Sequence, residues 1–174
     1  MGTNQYELPF SEALSPEADC SPQPRNDRQV REQGIVDQAF AILSKRHRRG
    51  EILTSPESTK AFLRLKLAEE PNEVFGCIFL DNRHGVLAVE DLFFGTIDGA
   101  SVHPRVIVQK ALSHNAAAIL AYHNHPSGVS EPSQADLSIT GRIKQALALV
   151  DVRLLDHLVV GIEEAVSLAE RGLL

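Results

Sequence analysis

Between positions 123 and 136 the chain gathers His123, Asn124, His125, Pro126, Ser127, Gly128, Ser133 and Asp136. Two imidazoles, a hydroxyl and a carboxylate within fourteen residues are donor types that hold a single divalent metal ion. Side chains alternate along an extended strand, so His123 and His125 point to the same side. Pro126 biases His125 itself away from helix. A helix launched at Pro132-Ser133 would carry Asp136 in its first turn and return a carboxylate to the same point. Two histidines and one carboxylate leave a fourth tetrahedral position for water, the pattern of catalytic zinc, and the same set would accept manganese or iron. Zinc there would bring the pKa of that water down to about 7 and make it a nucleophile near neutral pH. A competing account exists, because Ser133-Gln134-Ala135-Asp136 also satisfies the S-x-x-[DE] capping box. The two roles are compatible if Ser133 caps the helix while Asp136 faces the ion.

Hydrolysis needs a base as well. Glu90 lies within an apolar stretch flanked by Leu87, Val89, Leu92 and Phe93, where an acid is costly to bury unless it is paired or functional. Its neighbour Asp91 would point to the opposite side of the strand. Strand periodicity leaves both acids as candidates to shuttle a proton to the leaving group.

The elements that must position these groups follow from hydrophobic periodicity. Residues 1–26 carry Pro9, Pro16, Pro22 and Pro24 without sustained apolar spacing and read as a tail, or an arm that orders on a partner. From Asp27 to Arg49, Val30, Ile35, Val36, Ala39, Phe40 and Leu43 recur at helical spacing. A second helix opens at Ser55, with Pro56 in its first position, and must stop before Pro71. Val74–Leu80 and Val86–Phe94 read as strands of a hairpin around a turn at residues 81–85. A helix opens near His103-Pro104, residues 117–123 form a buried strand ending at the motif, and Ser133 begins a helix to about Val150. Val152–Val160 is a further strand, and a short element closes residues 163–174. Strands interleaved with helices make this an α/β domain over residues 52–174, preceded by an N-terminal helix at 27–51.

Composition narrows the class. The 174 residues are 43% hydrophobic and 23% charged, ordinary for a globular protein. No apolar run is long enough to cross a membrane. The first 25 residues lack a basic start followed by an apolar stretch, so no secretory signal is expected. Cys20 and Cys77 are far apart without metal-knuckle spacing, and a reducing, cytoplasmic setting is the expectation. A net charge of −6 argues against a general nucleic-acid surface. The one basic cluster, Lys45-Arg46-His47-Arg48-Arg49, reads first as a helix end before Gly50 and second as a phosphate-binding patch. His47, His84 and His114 read as surface positions.

Taken together, Glu90, His123-x-His125, Ser133 and Asp136 resemble the JAMM signature of JAB/MPN-type metalloproteases. Phe94-Gly95-Thr96, Ala100-Ser101-Val102-His103-Pro104-Arg105, His123–Gly128 and Leu155-Asp156-His157 are similar to the bacterial RadC-like branch. The resemblance spans residues 52–174. It implies a cytidine-deaminase-like α/β fold with a mixed sheet flanked by helices. It further implies zinc bound by His123, His125 and Asp136, with Glu90 as general acid/base and Ser133 polarising the oxyanion of a tetrahedral intermediate. Relatives of this type cleave peptide or isopeptide bonds, so a protein or peptide substrate is implied. Longer RadC-type proteins carry a helix-hairpin-helix region; residues 1–50 show no paired-helix, glycine-hairpin signature, which counts against a DNA-directed role.

Other readings predict different features. A zinc deaminase would carry a Pro-Cys-x-x-Cys ligand pair, which neither cysteine supplies. An HNH nuclease would spread its residues over a longer unit than His123-Asn124-His125. A DNA-repair-associated accessory protein with a structural or vestigial metal would bind DNA in a salt-sensitive way through Arg46–Arg49. A non-catalytic scaffold would lack the ligands found here. His103 and Arg105 read as loop support or substrate contacts, and His157 as a partner of the ligands or a buried strand residue. The oligomeric state is left open.

Overall fold

A computed structural model describes residues 27–46, 55–95 and 101–174. Along the chain run α1 (Asp27–Arg46), α2 (Pro56–Leu67), β1 (Val74–Leu80), β2 (Val86–Phe94), α3 (Pro104–Ser113), β3 (Ala118–Asn124), α4 (Gln134–Ala148), β4 (Arg153–Val160) and β5 (Ala165–Ser167). The basic run from His47 onward and the tail before Asp27 lie outside the described residues. The strands form one mixed sheet in the order β2-β1-β3-β4-β5, in which β3 and β4 are parallel and the other pairs antiparallel. This is an α/β architecture with helices on both faces of the sheet.

Every residue of β1 is buried, which explains why Val74–Leu80 reads as an unbroken apolar run rather than an alternating one. Its two faces serve separate cores. Phe75, Cys77 and Phe79 pack with Ile107 and Ala111 of α3 and Ile143 and Leu147 of α4. Val74, Ile78 and Leu80 pack with Phe62, Leu63 and Leu67 of α2 on the other side. Helix α1 lies outside α2, with the Phe40 and Phe62 rings 5.9 Å apart. Burial raises the Cys77 thiol far above its ordinary pKa, with the Glu90 charge adding to the effect, so this cysteine stays a neutral core group.

Local chemistry sets the element ends. Ser55 accepts a hydrogen bond from the Ser58 amide, and Pro56 occupies the first turn of α2. The hairpin turn closes because Asp81 Oδ1 accepts from the amides of Arg83 and Gly85 at 2.8 and 2.7 Å. The terminal element, left untyped by periodicity, is the edge strand β5 paired with β4.

Between β1 and β3 the fold stacks a full aromatic ring over a glycine. Tyr122 is fully buried, donates to Asp91 Oδ1 at 2.7 Å, and lies over Gly76. Lys66 completes an ion pair with the same carboxylate. A Cβ at position 76 would come within 2.3 Å of the Tyr122 ring. Gly76→Ala is therefore expected to cost about 1–3 kcal/mol by overpacking. Chemical denaturation measures it, and an unchanged midpoint would contradict the packing described.

Candidate metal centre

The site forms where β3 ends and α4 begins. β3 delivers His123 from its last turn of pairing, opposite Phe75 of β1 and Val159 of β4. His125 lies just past the strand, where its amide donates to the Val160 carbonyl at 3.0 Å. The chain then folds back in a tight turn: the Gly128 amide donates to the His125 carbonyl at 2.8 Å, and Gly128 has a φ of 83°. That left-handed conformation suits glycine. The turn returns the Val129 carbonyl to His125 Nδ1 at 2.7 Å.

Ser133 then caps α4. Its Oγ accepts from the Asp136 amide at 3.2 Å, and its own amide donates to Asp136 Oδ2 at 2.6 Å. The capping box is real, and it coexists with convergence on the histidines. Asp136 Oδ1 lies 3.2 Å from His123 Nε2, and Oδ2 lies 3.4 Å from His125 Nε2. The two Nε2 atoms are 2.9 Å apart. His123, His125 and Asp136 each offer one ligand atom, all within 4.8 Å of one another, and so form a group that could hold a metal ion.

The imidazole nitrogens fit that use. A carbonyl oxygen can only accept, so His125 carries its hydrogen on Nδ1 toward Val129 and presents a bare Nε2 when neutral. His123 is 1% exposed and contacts the fully buried His157 through Nδ1, at 2.8 Å from His157 Nε2. Charges around the site are strongly biased. Partial burial pushes the Asp136 carboxyl up, but hydrogen bonds from His123 and His125 outweigh it and hold the group far below the usual carboxylate range. The hydrogen bond with Asp136 raises the pKa of His125 despite its partial burial, and the negative charge of Glu73 adds to that rise. Burial lowers His157 well below the ordinary histidine value, with the nearby His123 charge acting in the same direction. His157 is thus neutral at physiological pH.

Glu90 is placed elsewhere. It sits on the same sheet face as His123, but its partner on β1 is Cys77, whereas the partner of His123 is Phe75. Two strand spacings and two residues along the strand put their Cα atoms on the order of 12 Å apart. Its carboxylate is held by Lys110 Nζ, on the second half of α3, and by Nε2 of His114, the C-cap of that helix, each at 2.7 Å. His114 is accordingly half-buried, not a surface residue. Asp91, on the opposite face, is taken up by Lys66 and Tyr122. Neither acid left open by strand periodicity joins the metal group.

Another acid whose charge acts on His125 is Glu73, half-buried immediately before β1. Asn124, between the two histidines, grips the backbone on both sides of Glu73. Its Oδ1 accepts from the Val74 amide at 2.7 Å, and its Nδ2 donates to the Asn72 carbonyl at 3.0 Å. Periodicity passed over Glu73 because it precedes the strand; the β1–β3 register, which sets Phe75 opposite His123, puts it at the same end of the sheet. The second missed group is Thr140, 2.6 Å from His157 Nδ1. His103, by contrast, packs its ring on Phe93, consistent with loop support.

A family profile for the RadC-like JAB domain matches residues 53–173. The chain belongs to the RadC-like JAB family. A UPF0758 protein of Nitrosococcus oceani is 58% identical over 142 residues, covering 79% of this chain and 63% of that protein. A UPF0758 protein of Thioalkalivibrio sulfidiphilus is 58% identical over 142 residues, with 82% and 63% covered. One from Azotobacter vinelandii is 55% identical over 140 residues, with 80% and 62% covered. The chain thus spans somewhat under two thirds of the length of the curated relatives it matches. Among the described residues of this RadC-like chain, no helix is long and apolar enough to cross a membrane.

The placement of Glu90 makes a distinct prediction about pH. The hydrogen bond from Lys110 is the main cause that lowers its pKa, with His114 acting in the same direction. A lowered folded value means the stabilisation is complete above the unfolded carboxyl value and is lost as pH falls through the folded one. Glu90 and Lys110 side chains are 28% and 44% exposed, so screening keeps the effect small. Glu90→Gln should cost about 0.5–1 kcal/mol at neutral pH by urea denaturation, converging with the parent chain in acid. Metal content should be unchanged; loss of metal in this variant would contradict the placement.

Proposed function

We propose that this chain is a metal-dependent hydrolase in which His123, His125 and Asp136 hold zinc and which cleaves a peptide or isopeptide bond. The observation that carries the reading is the orientation of the donors. Three ligand atoms converge while His125 Nδ1 is committed to a carbonyl and His123 Nδ1 to a buried imidazole. This is how histidine ligands are held in metal sites, with the outer nitrogen fixed so that the inner one is bare. Zinc in such a set supplies Lewis acidity that makes water a nucleophile near neutral pH.

The other residues have roles that their placement supports. Glu73, whose flanking backbone is gripped by Asn124 and whose charge acts on His125, is the base that takes a proton from the attacking water and passes it to the leaving amine. Ser133 uses an oxygen lone pair in capping α4, which leaves its hydroxyl proton to donate to the developing oxyanion. A substrate would find room beside His125. A groove of about 610 Å³ runs from His125 and Pro126 past Ile162 to Arg64 and Leu65 of α2. Membership of the RadC-like JAB family agrees with the fold.

Zinc analysis and a peptide-library cleavage assay test this together. Glu73→Gln is expected to keep its zinc and lose cleavage by about 10²–10⁴-fold, the usual contribution of a positioned general base. Glu90→Gln should cleave like the parent chain. Undiminished cleavage in Glu73→Gln, or its loss in Glu90→Gln with zinc retained, would overturn the assignment of the base.

A further inference from the structure

Beneath the ligands lies a file of hydrogen bonds that begins and ends on ligand residues. Thr140 Oγ1 lies 2.5 Å from the carbonyl oxygen of Asp136 and 2.6 Å from His157 Nδ1. His157 Nε2 lies 2.8 Å from His123 Nδ1. His123 Nε2 then faces Asp136 Oδ1 at 3.2 Å. Thr140, His157 and His123 are 2%, 0% and 1% exposed. Each polar atom along the file is satisfied within the chain, and no buried side-chain nitrogen or oxygen among the described residues lacks a partner.

Counting protons along this file gives it a direction. Two oxygens at the Thr140–Asp136 distance need a proton between them, and a carbonyl has none to give. The hydroxyl proton of Thr140 is therefore committed to the Asp136 carbonyl. Thr140 can then only accept from His157, so His157 carries its hydrogen on Nδ1. A neutral imidazole protonated at Nδ1 has a bare Nε2. The proton in the contact between the two rings must come from His123 Nδ1. When neutral, His123 then has its lone pair on Nε2, the nitrogen that faces the space shared with His125 and Asp136.

We propose that Thr140 and His157 are positioning residues that fix His123 in the tautomer able to ligate a metal, with the order of donors set by the Asp136 carbonyl. This rests on the metal reading given above and deepens it. The first turns of α4 thereby act twice: the side chain of Asp136 offers a ligand, while its backbone oxygen determines which nitrogen of the facing imidazole is bare. His125 reaches the same state by a shorter route, through the Val129 carbonyl. A purely space-filling role for His157 is the contrasting account, since its ring also packs edge-on against Phe75 with centroids 5.3 Å apart.

Two measurements separate these accounts. In zinc competition against a chromophoric chelator, Thr140→Val keeps the side-chain shape but removes the hydroxyl. It should weaken zinc binding by about 10–100-fold, the range typical when a ligand's outer partner is lost. Thr140→Ser, which restores the hydroxyl, should recover most of that loss. Ring-nitrogen NMR of the histidine-labelled parent chain should show His157 protonated at Nδ1 and bare at Nε2, with and without zinc. Unchanged zinc affinity in a folded Thr140→Val variant, or His157 protonated at Nε2, would overturn the proposal. Should Thr140→Val not fold, the parent spectrum alone decides. A parent chain that takes up no zinc at all sinks the metal reading instead, and the metal-free spectrum then judges the donor order by itself.

Discussion

A buried imidazole has to satisfy two nitrogens, and the architecture of this site follows from that requirement. Leaving one unpaired in an apolar core costs roughly 1–3 kcal/mol. His123 and His157 sit in such a core, with Phe75 packed against both rings. Each can be buried there only because it answers the other, and the pair is closed by Thr140 at one end and Asp136 at the other. The arrangement leaves one nitrogen of each metal-facing imidazole turned toward the same small volume. Structural satisfaction and ligand orientation are thus one arrangement of bonds.

Asp136 carries a second constraint. It is the N3 residue of a capping box and, among the described residues, the one carboxylate in the group that could hold a metal, so the start of α4 cannot shift without moving a candidate ligand. Gly128 has a comparable double role, since the left-handed turn it allows sets both the path into α4 and the carbonyl that orients His125. Asn124 ties these elements to β1 by binding the backbone on either side of Glu73. A groove lined by Asn124, His125 and Pro126 opens beside this end of the sheet.

How much of this was legible in the sequence depended on how far apart the cooperating residues lie. His123, His125 and Asp136 were legible because one strand end, one turn and one helix start bring them together, and each leaves a local mark: alternation, proline, a capping box. The hairpin, the helices flanking the sheet and the burial of Val74–Leu80 were legible for the same reason. Glu90 could not be placed against the histidines, because periodicity gives the face of a strand but not its register against a strand two places away. Its apolar surroundings signalled a paired acid correctly; the partners were Lys110 and His114. Glu73 and Thr140 carry no local signal, since one precedes a strand and the other looks like an ordinary helix residue. The β1–β3 register sets the sheet end at which Glu73 lies, and the parallel pairing of β3 with β4 sets His157, the partner of Thr140, beside the strand that carries His123.

The claim on which the account stands is that His123, His125 and Asp136 together hold the metal. Zinc K-edge X-ray absorption on the zinc-loaded chain tests it most directly. The account predicts about one zinc per chain, with nitrogen and oxygen scatterers at roughly 2.0–2.1 Å and a multiple-scattering pattern from two imidazoles. A sulfur shell near 2.3 Å, or imidazole scattering that survives replacement of His123 and His125 by alanine, would contradict it.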